Sequence, residues 1–157
     1  GGSKRVIEQL GAYGSTLGTI LNLREDLWCA LNLTVELAVK IRDRNLPYVL
    51  IWAASRSRKA RSLLSNLIQK ERIEPKDIKK VVEAMFEGGP VDHVRELSKE
   101  LSDRAIQALS PLGKGESKDS LKLIAEAEHY LLLKPLSVSK ARARDALLRE
   151  ASATEEA

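Results

Sequence analysis

The stretch KRVIEQLGAYGSTLGTILNLREDLWCA, residues Lys4 to Ala30, decides how the rest of the chain is read. Val6, Ile7, Leu10, Leu17, Ile20, Leu21, Leu27 and Trp28 recur at three- and four-residue steps, the spacing that lines side chains along one face of a helix. Gly11, Gly14 and Gly18 fall at similar steps. Each costs a helix up to about 1 kcal/mol relative to alanine, so their presence needs a physical reason. Close approach of a second helix is the commoner one, and room for a ligand beside the backbone is the other. One turn beyond Gly18, Asn22, Glu25 and Asp26 interrupt the apolar pattern. On a helix these positions share a face, so an amide and two carboxylates could offer oxygen to a hard cation such as Mg²⁺. A solvated face with Arg24 as local counter-charge gives the same spacing, and on spacing alone it is the commoner origin.

Working outward, 157 residues suit one domain, of a size that buries about two-thirds of its unfolded surface. Hydrophobic residues make up 43% but aromatics only 4%, which predicts a core of aliphatic helix packing. No alternating β-branched run is bounded by hairpin turns, so the fold class is all-α, a helical bundle. The net charge of +4 is small beside 26 basic and 22 acidic residues. The clusters RSRKAR (56–61) and KARAR (140–144) lack an aromatic platform or a recognised nucleic-acid motif, so no nucleic-acid partner is expected. A solvated face or interfacial rim comes first for them, and anionic diphosphates or headgroups second. Cys29 is the single cysteine, which excludes an internal disulfide and fits a reducing cytoplasm. No run approaches the roughly 18–20 apolar residues of a transmembrane segment, and no signal peptide is expected. Residues 1–3, Gly-Gly-Ser, read as an expression scar, with Ser3 available as a helix cap.

The remaining chain predicts further helices. Asn32 or Thr34 caps one over 35–44, and Asn45-Leu46-Pro47 starts the next, which is apolar nearly all round and should be central. Residues 57–69 are amphipathic, and Pro75 opens a helix with Ile78, Val81, Val82, Met85 and Phe86 inward. Gly88-Gly89-Pro90 closes it, a helix over 91–109 follows, and 110–120 is the most loop-like run. Helices over 121–133 and 137–151 then end the helical domain (4–151) ahead of a frayed tail, 152–157. His93 and His129 lie in separate helices and read as surface residues.

LGAYGSTLGTILNLREDLWCAL resembles the trans-isoprenyl diphosphate synthases, in which Y-G-x-x-L-G leads a helix into the second aspartate-rich motif, D-D-x-x-D. Tyr13, Gly14, Leu17 and Gly18 match; Asn22 stands where Gln is usual, and Glu25, Asp26 and Cys29 stand where the three aspartates are. Only Asp26 is unchanged, and Cys29 puts a soft thiol where Mg²⁺ favours oxygen, so the motif is degenerate. The basic residue ahead of the family's T-L-P-like turn falls at Lys40 or Arg42, before Asn45-Leu46-Pro47, and the closing helices follow in order. The likeness spans about Val6 to Tyr130 and corresponds to the C-terminal half of the isoprenoid synthase fold.

That resemblance implies a component of a prenyltransferase, with Mg²⁺ on Glu25 and Asp26. Asn22, Lys40, Arg42 and Tyr13 would face substrate. The family's first aspartate-rich motif is missing, so the chain is not expected to be active alone. A protein partner supplying the N-terminal half, or a complete synthase subunit, is expected, with prenyl diphosphates as substrates. A degenerate, non-catalytic subunit that regulates an active synthase is the second reading, and an unrelated helical interaction protein the third.

Overall fold

The computed structural model describes residues 3–129, which are helix and turn without strand. Helix α1 (Lys4–Leu31) is followed by α2 (Val35–Arg42), α3 (Tyr48–Arg56), α4 (Arg58–Ile68), α5 (Pro75–Phe86) and α6 (Pro90–Ala108), and α7 covers residues 116–129. The all-α bundle is therefore as expected. The helix expected over 137–151, the KARAR cluster, residues 1–2 and the tail lie outside the described residues.

The helix ends follow from local chemistry. Ser3 accepts from the backbone N–H of Val6, Thr34 from Leu37 and Ser57 from Ala60, each side chain satisfying a donor that the first turn leaves without a partner. Glu74 and Asp77 form a reciprocal capping box at the start of α5, with Pro75 in the first turn. Gly89 carries φ +72°, a left-handed conformation glycine adopts without penalty, and it turns the chain into α6. Arg61, from the basic run at 56–61, donates to the carbonyls of Ala54 and Ser55, closing the end of α3.

Helix α1 is the long spine and packs most extensively on α6. Ile20, Leu23, Leu27 and Ala30 on α1, Val49, Leu50 and Ala53 on α3, Leu64 and Leu67 on α4, Val81 and Met85 on α5, and Val94 and Leu101 on α6 form one buried cluster. A smaller cluster joins Tyr13 to Ala105, Leu109 and Ala125 at the other end of α1. Helix α3 touches α1, α4, α5 and α6, so it is central, but Ile51 is exposed and the helix is not buried all round.

Two expectations are corrected here. Residues 110–120 are not one loop: the chain turns over 109–115 and α7 begins at residue 116, where Lys118 and Asp119 donate backbone N–H groups to the Gly115 carbonyl. Polar residues that look loop-like in sequence are the solvent side of a first helical turn. The glycines of α1 are not sites of close helix packing among the described residues. A Cβ at Gly11, Gly14 or Gly18 would meet nothing within 4 Å.

Candidate functional site: an acid pair bridged by a lysine

The last turns of α1 carry Glu25, Asp26 and Cys29, and Thr34 starts α2 so that Lys40 comes back alongside them. The Lys40 Nζ donates to Glu25 Oε1 at 3.3 Å and to Asp26 Oδ1 at 3.1 Å. Leu46 and Pro47 then bring the start of α3 over the same spot, and the Tyr48 backbone N–H donates to Asp26 Oδ2 at 2.8 Å. Pro47, the N-cap of α3, has no side-chain oxygen to offer, and Asp26 supplies one from a different helix. A carboxylate there satisfies an orphan donor and sits at the positive end of the helix dipole.

Burial grades across the cluster. The side chains of Lys40 and Asp26 are 17% and 20% exposed, whereas that of Glu25 is 55% exposed. Burial pushes the Lys40 ammonium toward a lower pKa, but the hydrogen bonds and charges of Asp26 and Glu25 outweigh it, and the net shift is upward. Cys29 is fully buried, and its thiol lies 3.6 Å from Glu36 Oε2. Burial is the main reason its pKa is raised.

The resemblance implies Mg²⁺ at Glu25 and Asp26, and the donor set can be tested against that ion. Mg²⁺ takes six oxygens at about 2.0–2.1 Å in near-octahedral array. Here both Asp26 oxygens already accept hydrogen bonds, and an ammonium holds the position between the two carboxylates. Glu25, Cys29 and Glu36 do bring one ligand atom each within 4.8 Å of one another, but that grouping includes a thiol and leaves Asp26 out. As folded, the residues do not fit Mg²⁺.

The other residues singled out in the sequence divide. Arg42 is 68% exposed, and its Nε donates to the adjacent Asp43. Of the two candidate basic residues, Lys40 is the one the fold brings to the acids. Asn22 is exposed one turn before the pair, and no hydrogen bond joins it to Glu25, Asp26 or Lys40. Tyr13 is buried, and its hydroxyl donates to the Leu121 carbonyl at 2.8 Å, which ties α1 to α7. Its place is in the packing, not on the open face.

The histidines are corrected as well. His93 is half-buried, stacks on Trp52 with ring centroids 4.4 Å apart, and shares a 2.9 Å hydrogen bond with the Tyr48 hydroxyl. His129 hydrogen-bonds Ser98 at 3.1 Å, and burial holds its pKa below the usual histidine value. Sequence spacing gives no sign of either contact, because each joins two different helices: α6 to α3 for His93, and α7 to α6 for His129. Glu36 and Tyr48 were likewise missed. A polar residue in the first turn of α2 reads as solvent-facing, and no sequence rule assigns a tertiary cap.

Beside the acids, α1 presents an open face. From Gln9 to Leu23 the chain carries no charged residue. Ile7 (62% exposed), Leu10 and Leu21 remain uncovered along it, with Gly11, Gly14 and Gly18 as notches and Trp28 (49% exposed) at the acid end. Heptad steps from Ile7 through Gly14 and Leu21 to Trp28 place these on one stripe, away from the buried face of Tyr13, Ile20 and Leu27.

With this geometry in view, the chain is similar in sequence to a protein named "Prenyl transferase" from Cyanophora paradoxa, with 30% identity over 125 residues. The match takes in 77% of this chain but only 38% of that relative's length. The chain is thus prenyltransferase-like over most of its length. No protein-family model matches it, and no solved structure matches it significantly. No helix among the described residues is long and apolar enough to cross a membrane.

Proposed function

We propose that this chain is a subunit or segment of a trans-prenyl diphosphate synthase assembly, corresponding to the C-terminal half of such an enzyme and completed by a second polypeptide. The observation that carries this reading is the open stripe of α1, uncharged from Gln9 to Leu23, notched by glycines and ending at the Glu25–Asp26–Lys40 cluster. A face of this kind needs a cover in water. An apolar chain with an anionic head suits a groove that runs from aliphatic side chains to a charged end. In the completed assembly an allylic diphosphate is elongated with isopentenyl diphosphate, in a cytoplasmic setting. Lys40 is committed to Glu25 and Asp26, so the groups that hold the diphosphate come from the partner.

The test mixes the chain with its candidate partner, Mg²⁺, isopentenyl diphosphate and an allylic diphosphate and follows chain elongation. Turnover is expected from the mixture and not from the isolated chain. Leu21→Lys, which puts a charge in the stripe, is expected to abolish assembly while leaving the chain folded. Product from the chain alone would overturn the requirement for a partner. A second reading, a non-catalytic subunit that steadies a complete synthase, draws on one observation: both oxygens of Asp26 are already in use. It predicts a partner active without this chain, whose rate the chain alters.

A further inference from the structure

We infer that Lys40 is the resident cation of the acid pair, and that Glu25, Asp26, Lys40 and the start of α3 form a closed structural site that takes up no divalent metal. This does not depend on the prenyl assignment, since it concerns only which cation the two carboxylates hold.

The argument begins with Asp26. One of its oxygens accepts from Lys40 Nζ at 3.1 Å and the other from the Tyr48 backbone N–H at 2.8 Å. To ligate a metal through either oxygen, the carboxylate must release a donor. Releasing Tyr48 leaves α3 without a side-chain cap, because Pro47 offers none. Releasing Lys40 leaves a side chain only 17% exposed with an ammonium paired to Glu25 alone. Mg²⁺ also sheds its water reluctantly, and the half-exposed Glu25, with only the exposed Glu36 and the Cys29 thiol near it, does not compensate for that.

Glu25 and Cys29 point the same way. Glu25 Oε1 lies 3.3 Å from the ammonium, so a metal bridging Glu25 and Asp26 would occupy the space Lys40 fills and would be repelled by it. Cys29, where a third hard ligand would be needed, is buried and turns its thiol toward the exposed Glu36. The pair therefore keeps its negative charge for folding: it docks α2 through Lys40 and caps α3 through Asp26. The sequence pattern of a metal motif is retained for a mechanical reason.

The experiment titrates Mn²⁺, and Mg²⁺ in competition, into the folded chain and follows paramagnetic broadening of the amide signals around residues 25–48. Circular dichroism checks the fold of each variant. Wild type is expected to show no site-specific broadening up to millimolar Mn²⁺. Lys40→Met, which removes the ammonium and keeps the apolar stem, is expected to bind at least tenfold more tightly than wild type. Lys40→Gln serves the same purpose if the methionine variant does not fold. Broadening centred on Glu25 and Asp26 in wild type, lost in Asp26→Asn, would overturn the inference. So would folded Lys40 variants that bind no better than wild type. Either result leaves the chain-elongation test above untouched, so the two readings fail separately.

Discussion

Replacing Asp26 by alanine tests whether this carboxylate holds the fold together. The substitution removes the acceptor of two hydrogen bonds, one from an ammonium and one from a helix-starting N–H. Hydrogen bonds to charged groups contribute about 1.5–3 kcal/mol each. Breaking a buried ion pair from one side costs about 3–5 kcal/mol, whereas an exposed pair is worth less than about 1. With Asp26 and Lys40 each about four-fifths buried and Glu25 left as a partial partner, we expect Asp26→Ala to cost about 3 kcal/mol. At an m-value of about 1–3 kcal/mol/M, the urea midpoint falls by roughly 1–3 M. Lys40→Met should cost less, because Asp26 keeps its place on α3. The double variant removes both halves of the pair, so its cost should fall short of the sum by about 1 kcal/mol or more. Urea denaturation of the four proteins measures all three quantities. An Asp26→Ala cost below about 0.5 kcal/mol, or additivity within about 0.3–0.5 kcal/mol, would refute the reasoning.

Other outcomes follow from the same structure. Because the Lys40 pKa is raised in the folded chain, its stabilisation is complete below about pH 10.4 and is lost as pH rises through the folded value. The stability gap between wild type and Lys40→Met should therefore narrow in alkaline denaturation curves, and a gap that widens would contradict the pairing. Tyr13→Phe deletes the hydroxyl that reaches Leu121 and should cost about 1 kcal/mol, read by thermal unfolding and by faster amide exchange in α7. Gly89→Ala forces a side chain into φ +72° and should destabilise by about 1–2 kcal/mol. By contrast, Gly14→Ala meets open space and should stabilise the isolated chain by about 0.5–1 kcal/mol while weakening partner binding; a destabilised chain would mean the notch is filled from within.

Much of the fold was legible because helices announce themselves locally. The aliphatic spacing in α1, the Thr34 cap, the proline at the start of α5 and the glycine turn before α6 all act within a few residues of where they stand. The start of α7 was misplaced because Glu116 to Ser120 are polar on the water side, which resembles a loop when neighbours are unknown. At the site, the meeting of Lys40 with the acids was one of two possibilities, and the chain gave no means of choosing it over Arg42, two residues on. Helical phase decides it: α2 turns Lys40 toward α1, while Arg42 stays exposed beside Asp43. The stacking of His93 on Trp52 was invisible because it joins α6 to α3.

Asp26 shows how a motif and its chemistry can separate. In the sequence it matches an aspartate of the motif that the family resemblance implies, and on that resemblance it reads as a metal ligand. In the fold, a helix with proline as its N-cap has no side chain there to receive the Tyr48 N–H, and an aspartate on α1, two helices back, does so at 2.8 Å. Such a residue is required whether or not any ion binds, so its presence is weak evidence for metal chemistry. The changes at Glu25 and Cys29 are tolerable under the same logic: one needs only to reach Lys40 from the surface, and the other only to fit the interior, with its thiol toward the exposed Glu36. The open stripe of α1 has no comparable internal explanation. Its exposed aliphatic residues and glycine notches satisfy nothing within the described residues, which is why the proposed partner rests on them more than on the acids.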